Sequence, residues 1–354
     1  MPKIFKIILL LSDLLICGYF SPALWAADYF SLVAVGDIMM GSHGPRGVLP
    51  PNDGRDLFDG VLPHLKEGDI VFGNLEGPLL DEGGVGRCQE TKSPWCFEFK
   101  MPTRYGLYLK QAGFTVLSVA NNHTLDYGTE GIKRTLEILS ALGIPPAGGQ
   151  AVALQKVKGK RIALVGFSYR LSPYSWSILE INNAQELIRK LKESYDLVIV
   201  SFHGGGEGRN ALQIMNENEI FLGEDRGNVI LFSRSVIEAG ADLVLGHGPH
   251  VLRAVEVYKK KLIVYSLGNF LTFGLFNLKG PNGVSGILKV KMDLETGDFL
   301  EGRLIPLKLG KSGIPFLDSD RQGIQLLKDL TEKNGNLFSV RITDEGDILR
   351  GSKE

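Results

Sequence analysis

The 354-residue chain is poor in several features, and each shortage removes a class of protein. Charge is almost balanced: 39 Lys and Arg against 40 Asp and Glu leave a net charge of -1, so no overall field draws the chain to nucleic acid or anionic lipid. Gly (44) and Pro (16) are plentiful, yet they stay below the roughly 25–30% of low-complexity chains. There is no internal repeat and no low-complexity linker. Cys is scarce, at three residues, and no second Cys pair or nearby His completes a thiolate metal site. Beyond the first segment, no stretch approaches the roughly 18 apolar residues a membrane span needs. With 44% hydrophobic and 22% charged residues, what remains is a loop-rich globular protein with a sizeable core.

The first segment differs from the rest. Lys3 and Lys6 precede an apolar stretch from Ile7 to Tyr19, and Ala23, Ala26 and Ala27 follow. That order is the one of a secretory signal. Asp13 within the apolar stretch, and Leu24 where cleavage after Ala26 favours a small residue, leave an uncleaved membrane anchor as the alternative. Ile16 before Cys17 argues against a lipoprotein. Residues 1–26 are therefore expected to be a signal peptide or membrane anchor, and 27–354 the functional domain. In an oxidising compartment Cys88 and Cys96 are expected to pair, the competing reading being two free thiols.

From Phe30 onward, short β-rich runs alternate with amphipathic segments, the pattern of an α/β protein with buried strands. The spacing predicts strands at Ser31–Val35, Ile70–Phe72, Thr115–Ser118, Ile162–Phe167, Leu197–Phe202, Leu243–Leu245 and Leu262–Ser266. Helices are predicted at Leu57–Lys66, Thr103–Ala112, Thr129–Leu142, Asn183–Glu193 and Ile230–Ala239, two of them ending at Gly113 and Gly143. Residues 285–354 turn β-rich: a hairpin of Gly286–Leu294 with Phe299–Leu307, a helix at Gln322–Lys333 and a short hairpin near Asp344.

Polar residues gather where these strands end, which is where ligands gather in α/β sheets. Gly36-Asp37-Ile38-Met39 follows the first strand, Gly73-Asn74-Leu75-Glu76 the second, and Asn121-Asn122-His123 with Asp126 the third. His203 precedes Gly204-Gly205-Gly206-Glu207, and His247 is followed by Gly248-Pro249-His250. Singly, each has an ordinary explanation as a cap, a turn residue or a half-buried imidazole. Together, Asp, Glu, Asn and His at five successive strand ends point to a metal site. Mixed carboxylate and imidazole ligands suit Mn, Fe or Zn better than Ca. Six ligands exceed one tetrahedral site, so a pair of ions sharing a carboxylate is expected, an arrangement suited to hydrolysis or group transfer by in-line displacement.

The ordered set G-D-x-M, G-N-L-E, A-N-N-H-x-x-D-x-G, F-H-G-G, G-H-x-P-H and Y-S-L-G-N-F (Tyr265 to Phe270) resembles the CapA family of capsule and poly-γ-glutamate synthesis proteins, built on the metallophosphatase (calcineurin-like) fold. The likeness covers about residues 31–275. It implies a sandwich of two β-sheets flanked by α-helices, with a β-rich C-terminal portion, in an exported, periplasmic or cell-envelope protein. It also implies an anionic polymer or its precursor and the capsule synthesis and export machinery as partners, with no nucleic acid and with membrane contact only through the N-terminal segment.

By the same resemblance, Asp37 binds one ion and Glu76 takes the place of a bridging aspartate, Asn74 being the other candidate. Asn122 is similar to an asparagine ligand, and His203, His247 and His250 to the later ligands. His123, Asp126 and Glu207 are the candidate proton carriers. The sequence departs from active phosphoesterases at Met39, which stands where a histidine ligand is usual, and at Glu76, where Asp is usual. It departs again in the spacing of His247 and His250, and at Gly204, which replaces an aromatic. Two functions follow as expectations: a divalent-metal-dependent hydrolase or transferase of the cell envelope, or a non-catalytic metal- and polymer-binding accessory protein. Trp95, Phe97 and Phe99 beside the Cys pair are either a substrate wall or a local cluster.

Overall fold

The computed structural model describes residues 28–44, 47–91, 96–148, 151–274, 276–334 and 338–351. The expected signal or anchor at 1–26, Cys17 and Trp95 lie outside the described residues. Among those described, no helix is long and apolar enough to cross a membrane.

Two large sheets carry the molecule. In the first, Tyr29–Met39, Ile70–Leu75, Val116–Ser118 and Pro146–Ala147 run parallel in that order. Val284–Asp293, Phe299–Leu309, Asp347–Arg350 and Val340–Ile342 extend it antiparallel from the other edge of Tyr29–Met39. In the second, Lys160–Ser168, Leu197–His203, Leu243–His247 and Lys261–Val264 are parallel neighbours. The hairpin partners Ala153–Val157 and Val255–Tyr258 close its two sides.

Strand residues alternate between two apolar environments, as the pleat demands. Leu32, Ala34, Ile70 and Phe72 from the first sheet meet Leu164, Ile199, Leu245 and Val264 from the second in one buried core. Val33, Val35, Val71 and Leu117 face outward onto the helices Tyr105–Ala112 and Gly128–Ala141. Val165, Val200 and Val244 face Ile181–Ser194 and Val229–Ala239. The C-terminal hairpins and the helix Gln322–Glu332 form where expected.

The helix expected at Leu57–Lys66 shrinks to Leu62–Leu65. Pro63 lies in the first turn, where its missing donor is tolerated, and opposes extension of the helix back toward Leu57. Its apolar residues Leu57, Phe58, Val61 and Leu65 are buried all the same, so the hydrophobic pattern reported burial and not helix. Gly113 closes Tyr105–Ala112 with φ 99°, as its position predicts.

Candidate metal centre

The parallel strands of both sheets end at the same pole, and the polar residues after them meet there. Tyr29–Met39 continues through its Gly-Asp pair because it exchanges partners: Asp37 lies opposite Asn74 on one side and Asn269 on the other, with register shifts around it. Gly36 is obligatory at this crossing, since a Cβ there would stand 1.9 Å from the Gly268 carbonyl oxygen. The Asp37 N–H then donates to that carbonyl at 2.9 Å. Asn74 is spent on orientation. Its Nδ2 donates to Asp37 Oδ1 at 2.8 Å, and its Oδ1 accepts from Asn121 Nδ2 at 3.1 Å. Glu76, two residues on, has neither carboxylate oxygen hydrogen-bonded although it is fully buried. Of the two candidates in this motif, Glu76 is the one with free ligand atoms.

The third loop divides its labour similarly. Asn121 is structural, with Nδ2 also on the Leu75 carbonyl at 2.9 Å and Oδ1 accepting from the His123 N–H at 3.0 Å. Asn122 Oδ1 is buried without a partner, on the wall of the central cavity. His123 places Nδ1 2.7 Å from Asp126 Oδ2 and Nε2 3.8 Å from Glu76 Oε1. Asp126 thus stands behind His123, on the ring edge opposite Glu76.

His203 and His247 are register partners at the ends of adjacent parallel strands. His203 Nε2 lies 4.0 Å from Glu76 Oε1. His247 Nε2 is 3.2 Å from the Val35 carbonyl oxygen, leaving its buried Nδ1 without a partner. His250 adopts φ 58°, an uncommon conformation that belongs with functional loops. It brings Nδ1 to 3.0 Å from Asp37 Oδ2 and Nε2 to 3.6 Å from Glu76 Oε1. The glycines after His203 are clamped: Gly205 donates to the Arg226 carbonyl, Gly206 donates to Glu219, and buried Arg253 holds both Glu219 and the Gly206 carbonyl. A Cβ at Gly204 would sit 2.3 Å from Ile178 Cδ1 and 2.9 Å from the Arg226 carbonyl oxygen, so a larger side chain there requires its surroundings to shift. Glu207 faces the cavity but is tied to Arg226 Nη1 at 2.7 Å.

Ligand atoms of Asp37, Glu76 and His250 all lie within 4.8 Å of one another, so these three residues can hold a metal ion. Buried oxygens and nitrogens without partners are costly in the absence of a compensating charge. Here Glu76 Oε1 and Oε2, Asn122 Oδ1, His203 Nε2 and His247 Nδ1 all lack one. Hard carboxylate oxygens mixed with imidazole nitrogens match the preference of Mn, Fe or Zn. The residues therefore fit divalent cations.

Electrostatics agree with that fit. Burial lowers His203 well below the ordinary imidazole value and lowers His247 as well, keeping both rings neutral and free to ligate. Burial also lifts Glu76 to about 8. For His250 burial works downward, but the Glu76 charge and the adjacent Asp37 carboxylate outweigh it and raise the ring to about 10. Burial works upward on Asp37, but its hydrogen bond and charge contact with His250 outweigh it and hold the carboxyl below the usual range.

The cluster opens into a cavity of about 620 Å³. Its wall includes side chains that sequence reasoning passed over. Arg226 is buried between Glu207 and Glu224 and lies 4.0 Å over the Tyr169 ring. Arg170 pairs with Glu224, and Arg87 reaches Asp126. Asn269, inside the quoted Tyr265–Phe270 motif, holds His250 Nδ1 at 3.1 Å. Phe97 is exposed and Phe99 is buried with its ring 4.2 Å from that of His123, so both belong to the cavity wall. Cys88 and Cys96 form a disulfide. Met39 turns its sulfur to the Gly41 N–H at 3.2 Å, away from a ligand's role.

The family described as bacterial capsule synthesis protein PGA_cap matches residues 31–273. The chain belongs to that family. This PGA_cap chain is 32% identical over 268 residues to "Capsule biosynthesis protein CapA" of Bacillus anthracis, covering 69% of its own length and 60% of that protein. It is 30% identical over 265 residues to "PGA biosynthesis protein CapA" of Bacillus subtilis, covering 70% and 64%. It thus spans less than two thirds of either CapA protein. A Mycobacterium tuberculosis relative, "Probable polyglutamine synthesis accessory protein", is 25% identical over 311 residues, covering 79% and 76%. Among solved structures, a novel phosphatase from Mycoplasma pneumoniae overlays with a TM-score of 0.48 at 14% identity, covering 80% of this chain and 94% of that one. The purple acid phosphatase PPD1 of yellow lupin overlays at 0.39 and 12%, covering 82% and 53%. Two sheets flanked by helices, with the polar cluster at the strand ends, are the α/β architecture expected from the sequence.

Proposed function

We propose that this PGA_cap protein is a divalent-metal-dependent hydrolase or transferase acting on an anionic polymer, poly-γ-glutamate or a related capsular chain, or on its precursor. One observation carries the reading: Asp37, Glu76, His203 and His250 turn toward one buried point from four strand ends, with ligand atoms of Glu76 and His203 left unpartnered. In this reading Asp37, Glu76, Asn122, His203, His247 and His250 hold a pair of cations, and residues 1–26 export or tether the chain to the cell envelope, where capsule synthesis and export take place.

When bound, the cations supply Lewis acidity for attack on an electrophilic phosphorus or carbonyl centre. His123 Nε2, aimed at the Glu76 side of the cavity, donates the proton to the leaving group. Asp126 orients the ring through Nδ1 and stabilises its charged form. Glu207, paired with Arg226, shapes the cavity wall and orders that side of the mouth.

A second reading, a non-catalytic metal- and polymer-binding accessory, is favoured by Met39, which by the family resemblance stands where a histidine ligand is usual and whose sulfur accepts from the Gly41 N–H. Elemental analysis of the purified chain, with a screen of phosphoester and γ-glutamyl substrates in added manganese, separates the two. Two bound ions and turnover that is lost in Asp37→Asn support the hydrolase. One weakly held ion with polymer retention and no turnover supports the accessory.

A further inference from the structure

Arg87 lines the cavity, in no motif of the family pattern, and its guanidinium reaches back to the protein through both terminal nitrogens. Nη1 donates to the Asn122 carbonyl at 2.9 Å and Nη2 to the Phe97 carbonyl at 2.6 Å. Nη2 also stands 3.3 Å from Asp126 Oδ1, a charge contact without hydrogen-bond alignment. The Arg87 backbone N–H donates to the Asp126 carbonyl at 2.9 Å. One residue therefore grips the Asn122–Asp126 turn at both ends.

The neighbouring residue is Cys88, bonded to Cys96, and the chain leaving Cys96 returns to the same turn. The Phe99 N–H donates to Asp126 Oδ2 at 2.7 Å, and the Phe99 ring covers that of His123. Glu98 accepts from the Cys88 N–H at 2.6 Å and from the Tyr127 hydroxyl at 3.2 Å. The arm leaving this disulfide thus supplies the N–H that holds Asp126 Oδ2 and the ring that covers His123, while Glu76 faces His123 Nε2 from the other side.

We propose that Arg87 is a positioning residue for His123 and Asp126, and that the Cys88–Cys96 bond keeps its grip, making the site sensitive to thiol reductants. The inference rests on the hydrolase reading and adds a regulation of the same site. Reduction by a dithiol breaks the Sγ–Sγ bond; two electrons and two protons give two thiols, and the reductant leaves as its own disulfide. The arms then regain freedom that the cross-link had removed, and the Arg87 fork no longer has the Phe97 carbonyl held against it.

The test uses the full chain loaded with manganese and hydrolysing bis-p-nitrophenyl phosphate. Arg87→Ala is expected to lower kcat about tenfold to a hundredfold, as loss of orienting partners does, with KM and metal content unchanged. Arg87→Lys, which keeps charge but not the fork, recovers part of the loss. Dithiol treatment, reversed by reoxidation, and Cys88→Ser with Cys96→Ser lower kcat in the same direction. Arg87→Ala costs less in the Ser/Ser background than alone, because the two changes share one mechanism. A kcat unchanged by Arg87→Ala, or by reduction, overturns the proposal.

A second readout needs no turnover. In 15N-histidine-labelled, metal-free protein the His123 ring signals are expected to be sharp and distinct, and to shift or broaden in Arg87→Ala and on reduction. Unchanged His123 signals overturn the inference even where the chain proves not to be a hydrolase. Absent turnover in the wild type together with responsive His123 signals overturns the hydrolase reading alone.

Discussion

Glu76 Oε1 lies 4.0 Å from His203 Nε2, both side chains are buried, and neither atom has a hydrogen-bond partner. A gap of that size is about twice a ligand-to-ion distance of ~2.1 Å. Two unpaired groups facing each other across it are what a cation site looks like from the protein's side. The His250 and His123 ring nitrogens approach the same oxygen, at 3.6 and 3.8 Å, so Glu76 is the hub of the cluster.

Removing the charge of a ligand while keeping its shape is the cleanest disturbance of that hub. Glu76→Gln and Asp37→Asn are each expected to weaken manganese binding by at least about tenfold while the far-ultraviolet circular dichroism stays unchanged. Titration calorimetry with elemental analysis checks this. Full metal content in Glu76→Gln contradicts the hub.

Cation uptake should expel protons. Burial raises Glu76 to about 8, and the neighbouring carboxylates raise His250 to about 10 against the opposing effect of burial, so both groups hold a proton at pH 7 in the metal-free chain. A cation needs them deprotonated, and apparent affinity is therefore expected to rise with pH between about 6 and 9. Calorimetry at pH 7 in two buffers of different ionisation enthalpy measures the released protons directly, and a value of zero contradicts the assignment.

His123 differs from the ligands in what its loss should do. His123→Ala is expected to reduce kcat by about 10²–10⁴, the usual contribution of a positioned proton donor, and to leave metal stoichiometry intact. Loss of both together would place His123 among the ligands instead.

The strand crossing at Gly36 is a stability prediction. Gly36→Ala pushes a methyl to within 1.9 Å of the Gly268 carbonyl oxygen, where the obstacle is backbone and cannot swing aside. A loss of about 3 kcal/mol or more is expected, at the upper end of overpacking costs, together with weakened cation binding because Asp37 is the next residue. Chemical denaturation followed by metal titration measures both.

The proposed ligands stood out because they interrupt apolar runs: His203 and His247 end buried strands, and Glu76 follows one. Strand limits were less legible. Ser31–Val35 is only the middle of Tyr29–Met39, because Gly36 and Asp37 look like a turn until Asn74 and Asn269 supply the partners that keep the strand going. Helical periodicity at Leu57–Lys66 marked buried residues correctly and the conformation wrongly, Pro63 being the local reason. The residues that hold the side chains of the cavity wall were the hardest to foresee. Arg87 and Arg226 come from segments without periodic pattern, and what makes them matter is contact with Asp126 and Glu207 across 39 and 19 positions of sequence.

The central strand has one more implication, from its direction. Tyr29 begins it and Asp37 stands eight residues later, about 26 Å further along at ~3.3 Å per residue. Whatever grips the chain through residues before Asp28 holds it by the pole opposite the cavity. On the proposed reading of residues 1–26 as a tether and of an anionic polymer as substrate, the attachment acts like a stalk, turning the mouth outward and leaving the polymer free to thread past without meeting it.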